Sequence, residues 1–170
     1  MENNILKNDK ESVKYRRNRN TLIVLGTGVI LFGFWGIIKL IAQVLLGFQL
    51  FDPELLDGLE PEGVVFVMFV VAAVLSTDVI LRLYAGLRAR REGYGNKVGA
   101  GLRIVLIMLL SGSLFSVAAV IYSIMTATGD LEENITGLFM ELSSLVITLE
   151  VFMASASVRK YRKRSGKEVK

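Results

Sequence analysis

Apolar residues in this chain are gathered into four long blocks instead of following amphipathic stripes. The blocks cover residues 21–47, 64–86, 99–126 and 135–157. An α-helix needs about 20 predominantly apolar residues to cross the hydrocarbon core of a bilayer, and each block is long enough. A soluble domain would bury periodic apolar faces, so continuous apolar runs indicate membrane spans. The pattern predicts an all-α integral membrane protein with four transmembrane helices.

The polar segments that join the blocks are short, which makes consecutive helices antiparallel neighbours in an up-down-up-down bundle. The first block lacks a small-residue cleavage site and exceeds the roughly 7–15 apolar residues of a signal-peptide core. We therefore expect a retained helix. The chain then divides into a basic N-terminal segment, a transmembrane domain and a basic tail, which cover residues 1–20, 21–157 and 158–170. Both basic segments are expected to be flexible.

The polar segments alternate in charge. Residues 1–20 carry six bases and three acids, residues 87–98 four bases and one acid, and residues 158–170 seven bases and one acid. Residues 48–63 carry five acids and residues 127–134 carry three, and neither segment contains a base. Positive residues stay on the cytoplasmic side during insertion. We expect both termini in the cytoplasm, both acidic segments outside, and a bacterial plasma membrane as the location.

Composition excludes several kinds of chemistry. The chain has 170 residues, 52% of them hydrophobic, a net charge of +4, and neither cysteine nor histidine. Disulfides, Cys/His metal sites and imidazole or thiol catalysis are therefore excluded. We predict no catalytic, cofactor-binding or metal-binding residues, and no enzyme activity. The basic segments satisfy the insertion rule by themselves, so the expected partners are anionic lipid headgroups and not nucleic acid.

Six charged residues remain inside the spans, and their charges sum to zero. They are Lys39, Asp78, Arg82, Arg103, Glu141 and Glu150. An unpaired charge near the bilayer centre costs about 2.5–3.5 kcal/mol, so pairing is expected. Depths measured from the block midpoints place Lys39 with Glu141 in an outer layer and the other four charges in an inner layer. In that inner cluster Asp78 would be held ionised by Arg82, one helical turn below it, and by Arg103.

The fourth span has two different polar faces. Glu141 and Glu150 lie on opposite sides of the helix because nine residues make two and a half turns. Small or hydroxyl residues accompany both acids: Ser144, Thr148 and Ser155 beside Glu141, and Ser143, Ala154 and Ser157 beside Glu150. Such residues favour close packing of membrane helices. Two packing faces predict a homo-oligomer, with one face inside the protomer and one at its boundary.

Two functions are compatible with this pattern. The first is a homo-oligomeric transport or permeation protein for an ion or small solute, in which a buried carboxylate alternates between an arginine and a proton or cation. The second is a noncatalytic accessory, scaffold or regulatory subunit that associates with another membrane protein. Its charges would be static ties between helices, which the zero sum favours. We favour the first, because charged residues inside a membrane are functional by default expectation.

Overall fold

The structure is a computed structural model that describes residues 2–45, 60–97, 99–126 and 131–168. The described residues form four α-helices and no strand: α1 Glu2–Leu45, α2 Pro61–Gly93, α3 Gly101–Met125 and α4 Leu131–Glu168. Each helix contains a stretch long and apolar enough to cross a membrane: Glu11–Ile38, Glu62–Gly93, Gly101–Met125 and Asn134–Arg164. The prediction of an all-helical chain with four helices of membrane-spanning length is confirmed.

The ends of α2 follow from its sequence. Pro61 lies in the first turn, where its missing N–H costs no helical hydrogen bond and its fixed φ suits the helix. Glu62 in the first turn, and Arg90 and Arg91 in the last, complement the helix dipole. After α2 the chain turns at Gly95, whose φ of 101° is readily adopted by glycine. This turn brings α3 back alongside α2.

Consecutive helices are antiparallel. Along α1, Gly26 faces Gly86 of α2 and Gly36 faces Val79, so the numbering of the two helices runs in opposite directions. α1 also packs against α4, α4 packs against α3, and α2 makes a smaller contact with α3. The four helices therefore form a closed ring of neighbours in which α2 and α4 lie diagonally opposite. The buried core of this ring contains side chains from all four helices.

The bundle is tightly packed in one half, which we call the closed half. It comprises the N-terminal parts of the α1 and α3 spans and the C-terminal parts of the α2 and α4 spans. Its core consists of Leu22, Val29, Ala85, Ala89, Leu102, Leu106, Leu109, Val151, Ala154 and Val158. The closed half lies at the end of the bundle that carries the described bases of residues 1–20, 87–98 and 158–170. We call this end the basic end.

The other half, which we call the open half, has no buried core. It comprises residues 34–45, 61–81, 118–125 and 131–143, and no described residue in these ranges is buried. Large apolar side chains such as Phe69 and Phe139 are exposed there. The acidic segments predicted to join these helix ends lie largely outside the described residues. Among the described residues, the helices thus bury each other at the basic end and not at the opposite end.

The basic segments continue α1 and α4 instead of forming flexible tails. The rings of Tyr15 and Tyr161 stack with centroids 4.5 Å apart. Nearer the spans, Asn18 Nδ2 donates a hydrogen bond to Ser157 Oγ at 2.7 Å. The prediction of flexibility is wrong for the described parts of these segments, because α1 and α4 remain in contact beyond the ends of their apolar blocks.

Replacing Gly86 by alanine is expected to lower the free energy of unfolding by about 1–3 kcal/mol, the usual cost of overpacking. A Cβ atom at this position would lie 2.6 Å from the Gly26 carbonyl oxygen and 2.5 Å from Ile30 Cγ1. Because the carbonyl belongs to the backbone of α1, the two helices would have to separate. Thermal unfolding of the purified protein in detergent measures the effect.

The control is Gly112→Ala on α3, where an added Cβ meets nothing within 4 Å. Alanine favours helix over glycine, so this variant should be at least as stable as the unchanged protein. Equal losses in the two variants would contradict the close approach of α1 and α2.

Candidate functional site

Arg82 lies between α2 and α4 at the boundary of the two halves. Its Nε donates to Asp78 Oδ2, one turn earlier in α2, at 2.7 Å. Its Nη1 donates to Ser144 Oγ on α4. The Arg82 side chain is 11% exposed, whereas that of Asp78 is 46% exposed. The predicted pairing of Arg82 with Asp78 is confirmed, and the arginine is held by two separate partners.

The face of α4 that carries Glu141 points into the bundle. Ser144, Thr148 and Ser155 on this face are all buried. Thr148 Oγ1 donates to the Ser144 carbonyl oxygen at 2.8 Å, which satisfies its hydroxyl within the helix. The periodicity of α4 predicted two polar faces, and the face that carries Glu141 is the one that lies inside the bundle.

Glu141 itself is incompletely satisfied. Its Oε2 is buried and has no hydrogen-bond partner among the described residues. Lys39, its predicted partner, belongs to α1, but the Lys39 side chain lies outside the described residues, so that pair stays a prediction. The described part of the chain contains no group of three or more carboxylates that could hold a metal ion.

The register between α2 and α4 differs from the one that the block midpoints predicted. Arg82 meets Ser144 and Glu92 meets Ser155, which are separations of 62 and 63 residues. Because α2 and α4 run in parallel, this register places Asp78 level with Glu141, not with Glu150. We call Asp78, Arg82 and Glu141 the charge layer. It carries two acids and one base.

The predicted inner cluster of four charges is therefore corrected. Glu150 lies on the opposite face of α4 and lines a groove of about 850 Å³ between α1 and α4, together with Lys14 and Arg17. Arg103, at the beginning of α3, lines a different cavity with Arg159 and neighbouring lysines. Among the described residues, neither Glu150 nor Arg103 forms an ion pair.

Two physical facts separate these charges. The half-turn between Glu141 and Glu150 directs them to different neighbours, as the helical period requires. Block midpoints also assume that each helix is centred in the bilayer. Close glycine contacts and hydrogen bonds shift α2 against α4 by about nine residues, or roughly 13 Å at 1.5 Å per residue.

A charged residue that the six intramembrane candidates did not include is buried at the basic end. Glu92 is fully buried, and its carboxylate accepts hydrogen bonds from Ser155 Oγ at 2.6 Å and from Arg159 Nε at 2.8 Å. Its position in the sequence carried a signal, since it is the one acid within a segment of four bases. The segment was expected only as a short basic connection on the cytoplasmic side, and the burial of Glu92 was not predicted.

Arginines also bind the last carbonyls of α2. Arg19 Nε on α1 donates to the Gly93 carbonyl oxygen at 2.7 Å. Arg162 on α4 donates to the carbonyl oxygens of Glu92 and Asn96 at 3.3 and 3.0 Å. Positive side chains that satisfy the terminal carbonyls of a helix stabilise its C-terminal end. The basic end is therefore held together by contacts from α1 and α4 onto α2.

The chain matches no protein-family model, no curated protein and no solved structure.

Proposed function

We propose that this protein is a homo-oligomeric membrane protein through which protons or small cations pass, with Asp78 and Glu141 as the carboxylates that carry them. The observation that supports this proposal is the charge layer itself. A half-exposed acid that is paired with an arginine lies level with a buried carboxylate oxygen that has no hydrogen-bond partner among the described residues. An uncompensated charge in a membrane costs about 2.5–3.5 kcal/mol, so in this proposal the second acid takes up a proton or a cation.

The contacts of Arg82 allow Asp78 to change partners. Because Arg82 donates to Asp78 through Nε and to Ser144 through Nη1, release of Asp78 leaves the arginine with a buried acceptor. Asp78 can then take a proton or a cation without leaving a bare guanidinium in the membrane. An acid that alternates in this way between an arginine and a proton or cation can pass that ion along a path through the membrane.

We infer that access to the charge layer is from one side. The charge layer lies where the closed half meets the open half, and Asp78 and Glu141 belong to the open half. One protomer leaves the helices of that half without a buried core. A second copy packed against them would complete the walls of a path to the charge layer. The filled core of the closed half would restrict passage on the other side.

The second candidate function is a noncatalytic accessory or scaffold subunit. It is favoured by the Glu92 network, whose carboxylate is fully buried and bonded to both Ser155 and Arg159. A satisfied network of this kind needs no ligand. In this alternative the Arg82–Asp78 pair would likewise serve only to join α2 and α4 through Ser144.

Ion flux into liposomes tests the proposal. Purified protein is reconstituted, and proton, sodium and potassium fluxes are measured separately under an imposed gradient. Asp78→Asn and Glu141→Gln are each expected to reduce flux to the level of protein-free liposomes, because neither amide can release a proton or bind a cation as a carboxylate does. Glu150→Gln is the matched control, since it removes an intramembrane acid outside the charge layer.

Oligomer size and thermal stability are measured on the same samples. Loss of flux with intact assembly in the two charge-layer variants supports permeation. Loss of assembly together with flux would favour the scaffold function instead. Flux through the unchanged protein no greater than through protein-free liposomes, for all three ions, would rule permeation out.

A further inference from the structure

A small cavity opens between the beginning of α3 and the C-terminal part of α4 at the basic end. Its volume is about 300 Å³, and it is lined by Arg103, Ala156, Arg159, Lys160 and Lys163. Four of these five residues are bases, contributed by two helices that pack against each other. This concentration of positive charge lies outside the charge layer and takes no part in the proposed permeation.

Among the described residues, only one of the four bases around this cavity has an acidic partner. Arg159 is held in place by its bond to Glu92 and by a hydrogen bond from Nη2 to the Gly99 carbonyl oxygen at 3.1 Å. No described carboxylate lies within ion-pair distance of the other three bases. Like charges that surround a shared cavity repel one another, and a bound anion relieves that repulsion. The fixed guanidinium supplies one preorganised contact for such an anion.

The surroundings of the cavity favour an anion that carries apolar chains. Ile107 lies one helical turn beyond Arg103 on the same face of α3 and is 52% exposed. On α4, Leu149 lies two turns before Ala156 on the same face and is 43% exposed. Exposed apolar side chains of α3 and α4 therefore adjoin the basic cavity on the side that faces the spans. A soluble phosphate would use only the cavity, whereas a phospholipid would use both.

We infer that this cavity binds the headgroup of an anionic phospholipid with two phosphates, with its acyl chains along the exposed faces of α3 and α4. Basic pockets between transmembrane helices bind such headgroups in this way. Arg159 and Arg103 contact the phosphates from one helix each, and the two lysines close the site from α4. The inference does not depend on the proposed permeation, and a failure of either leaves the other standing.

Lipid titration of the purified full-length protein in detergent tests the inference. Cardiolipin is the probe, and the number of lipids retained is measured by native mass spectrometry. The double variant Arg103→Gln/Lys163→Gln is expected to weaken binding by about 30-fold, since each base near a membrane surface contributes about a fivefold factor. Both side chains are exposed, so the fold should be retained, and circular dichroism checks this.

The matched control is Arg91→Gln/Lys97→Gln, which removes two exposed bases from the same end of the bundle but outside the cavity. It should retain cardiolipin like the unchanged protein. Ala156→Phe, which fills the cavity and keeps every charge, should also weaken binding. Equal losses of cardiolipin binding in the control and cavity variants would show that the lipid is attracted to basic residues in general. That result would overturn the assignment of a binding site.

Two further arms separate the sources of the anion. Phosphatidylcholine, which has no net charge, should not be retained. Inorganic pyrophosphate should fail to displace cardiolipin at concentrations that are equimolar with the lipid. Pyrophosphate binding as tight as that of cardiolipin would identify a site for a soluble phosphate compound and would overturn the lipid assignment.

Discussion

Replacing Arg159 by alanine is expected to lower the free energy of unfolding by about 3–5 kcal/mol, the usual cost of leaving a buried charge without its partner. Glu92 is fully buried, and Arg159 Nε lies 2.8 Å from its Oε1. Removal of the arginine leaves the carboxylate with the Ser155 hydroxyl and no positive charge. Thermal and denaturant unfolding of the purified protein in detergent measure the loss.

Arg164→Ala is the matched control for this prediction. It removes another arginine of α4, but one whose pair with Glu11 is exposed, at 58% and 36% for the two side chains. Exposed pairs contribute about 0–1 kcal/mol. The double variant Glu92→Met/Arg159→Met should recover much of the stability, because an apolar pair needs no desolvation. Equal losses in Arg159→Ala and Arg164→Ala would contradict a buried tie at the basic end.

Replacing Arg82 by methionine is expected to destabilise the protein by about 3 kcal/mol, the cost of an unpaired charge in the membrane. The substitution leaves Asp78 without a counter-ion. It also removes the N–H group from which the Ser144 hydroxyl accepts a hydrogen bond. Asp78→Asn also removes a counter-ion, that of Arg82, but it should cost less, because Arg82 keeps its bond to Ser144 and an amide oxygen still accepts from Nε. Unfolding of the reconstituted protein by a denaturing detergent gives both values.

The proposed permeation requires this difference in cost between Arg82→Met and Asp78→Asn, because Asp78 must release Arg82 without disrupting the fold. Arg88→Met serves as the control: Arg88 lies over the Tyr84 ring at 5.2 Å, a contact worth about 0.5–1 kcal/mol. The double variant Asp78→Asn/Arg82→Met should regain stability relative to Arg82→Met. A larger loss for Asp78→Asn than for Arg82→Met would show that the acid is a fixed tie and would favour the scaffold function.

Local spacing predicted those parts of the site that belong to a single helix. Asp78 and Arg82 are four residues apart, and residues at that spacing face each other on any α-helix. Ser144, Thr148 and Ser155 share one side of α4 for the same reason, and all three are buried. These features need no knowledge of neighbouring helices, so the helical period alone was sufficient to find them.

Features that involve two helices were predicted poorly. The level of Asp78 relative to Glu141 depends on how far α2 slides along α4, which is set by hydrogen bonds such as that of Arg82 with Ser144. The burial of Glu92 depends on α4 bringing Arg159 against it. Apolar helices are compatible with many registers, and hydropathy does not distinguish among them.

The sequence by itself determined that the chain is all-helical with four segments long enough to span a membrane. It did so because every backbone polar group in lipid must be satisfied within the segment, and this requires long apolar helices. Only the tertiary structure decided which charges meet. Long-range partners depend on helix rotation and register, and these follow from close contacts such as that of Gly86 with Gly26. Such contacts bring Asp78 and Glu141 to one level, direct Glu150 to another face, and enclose Glu92 at the basic end.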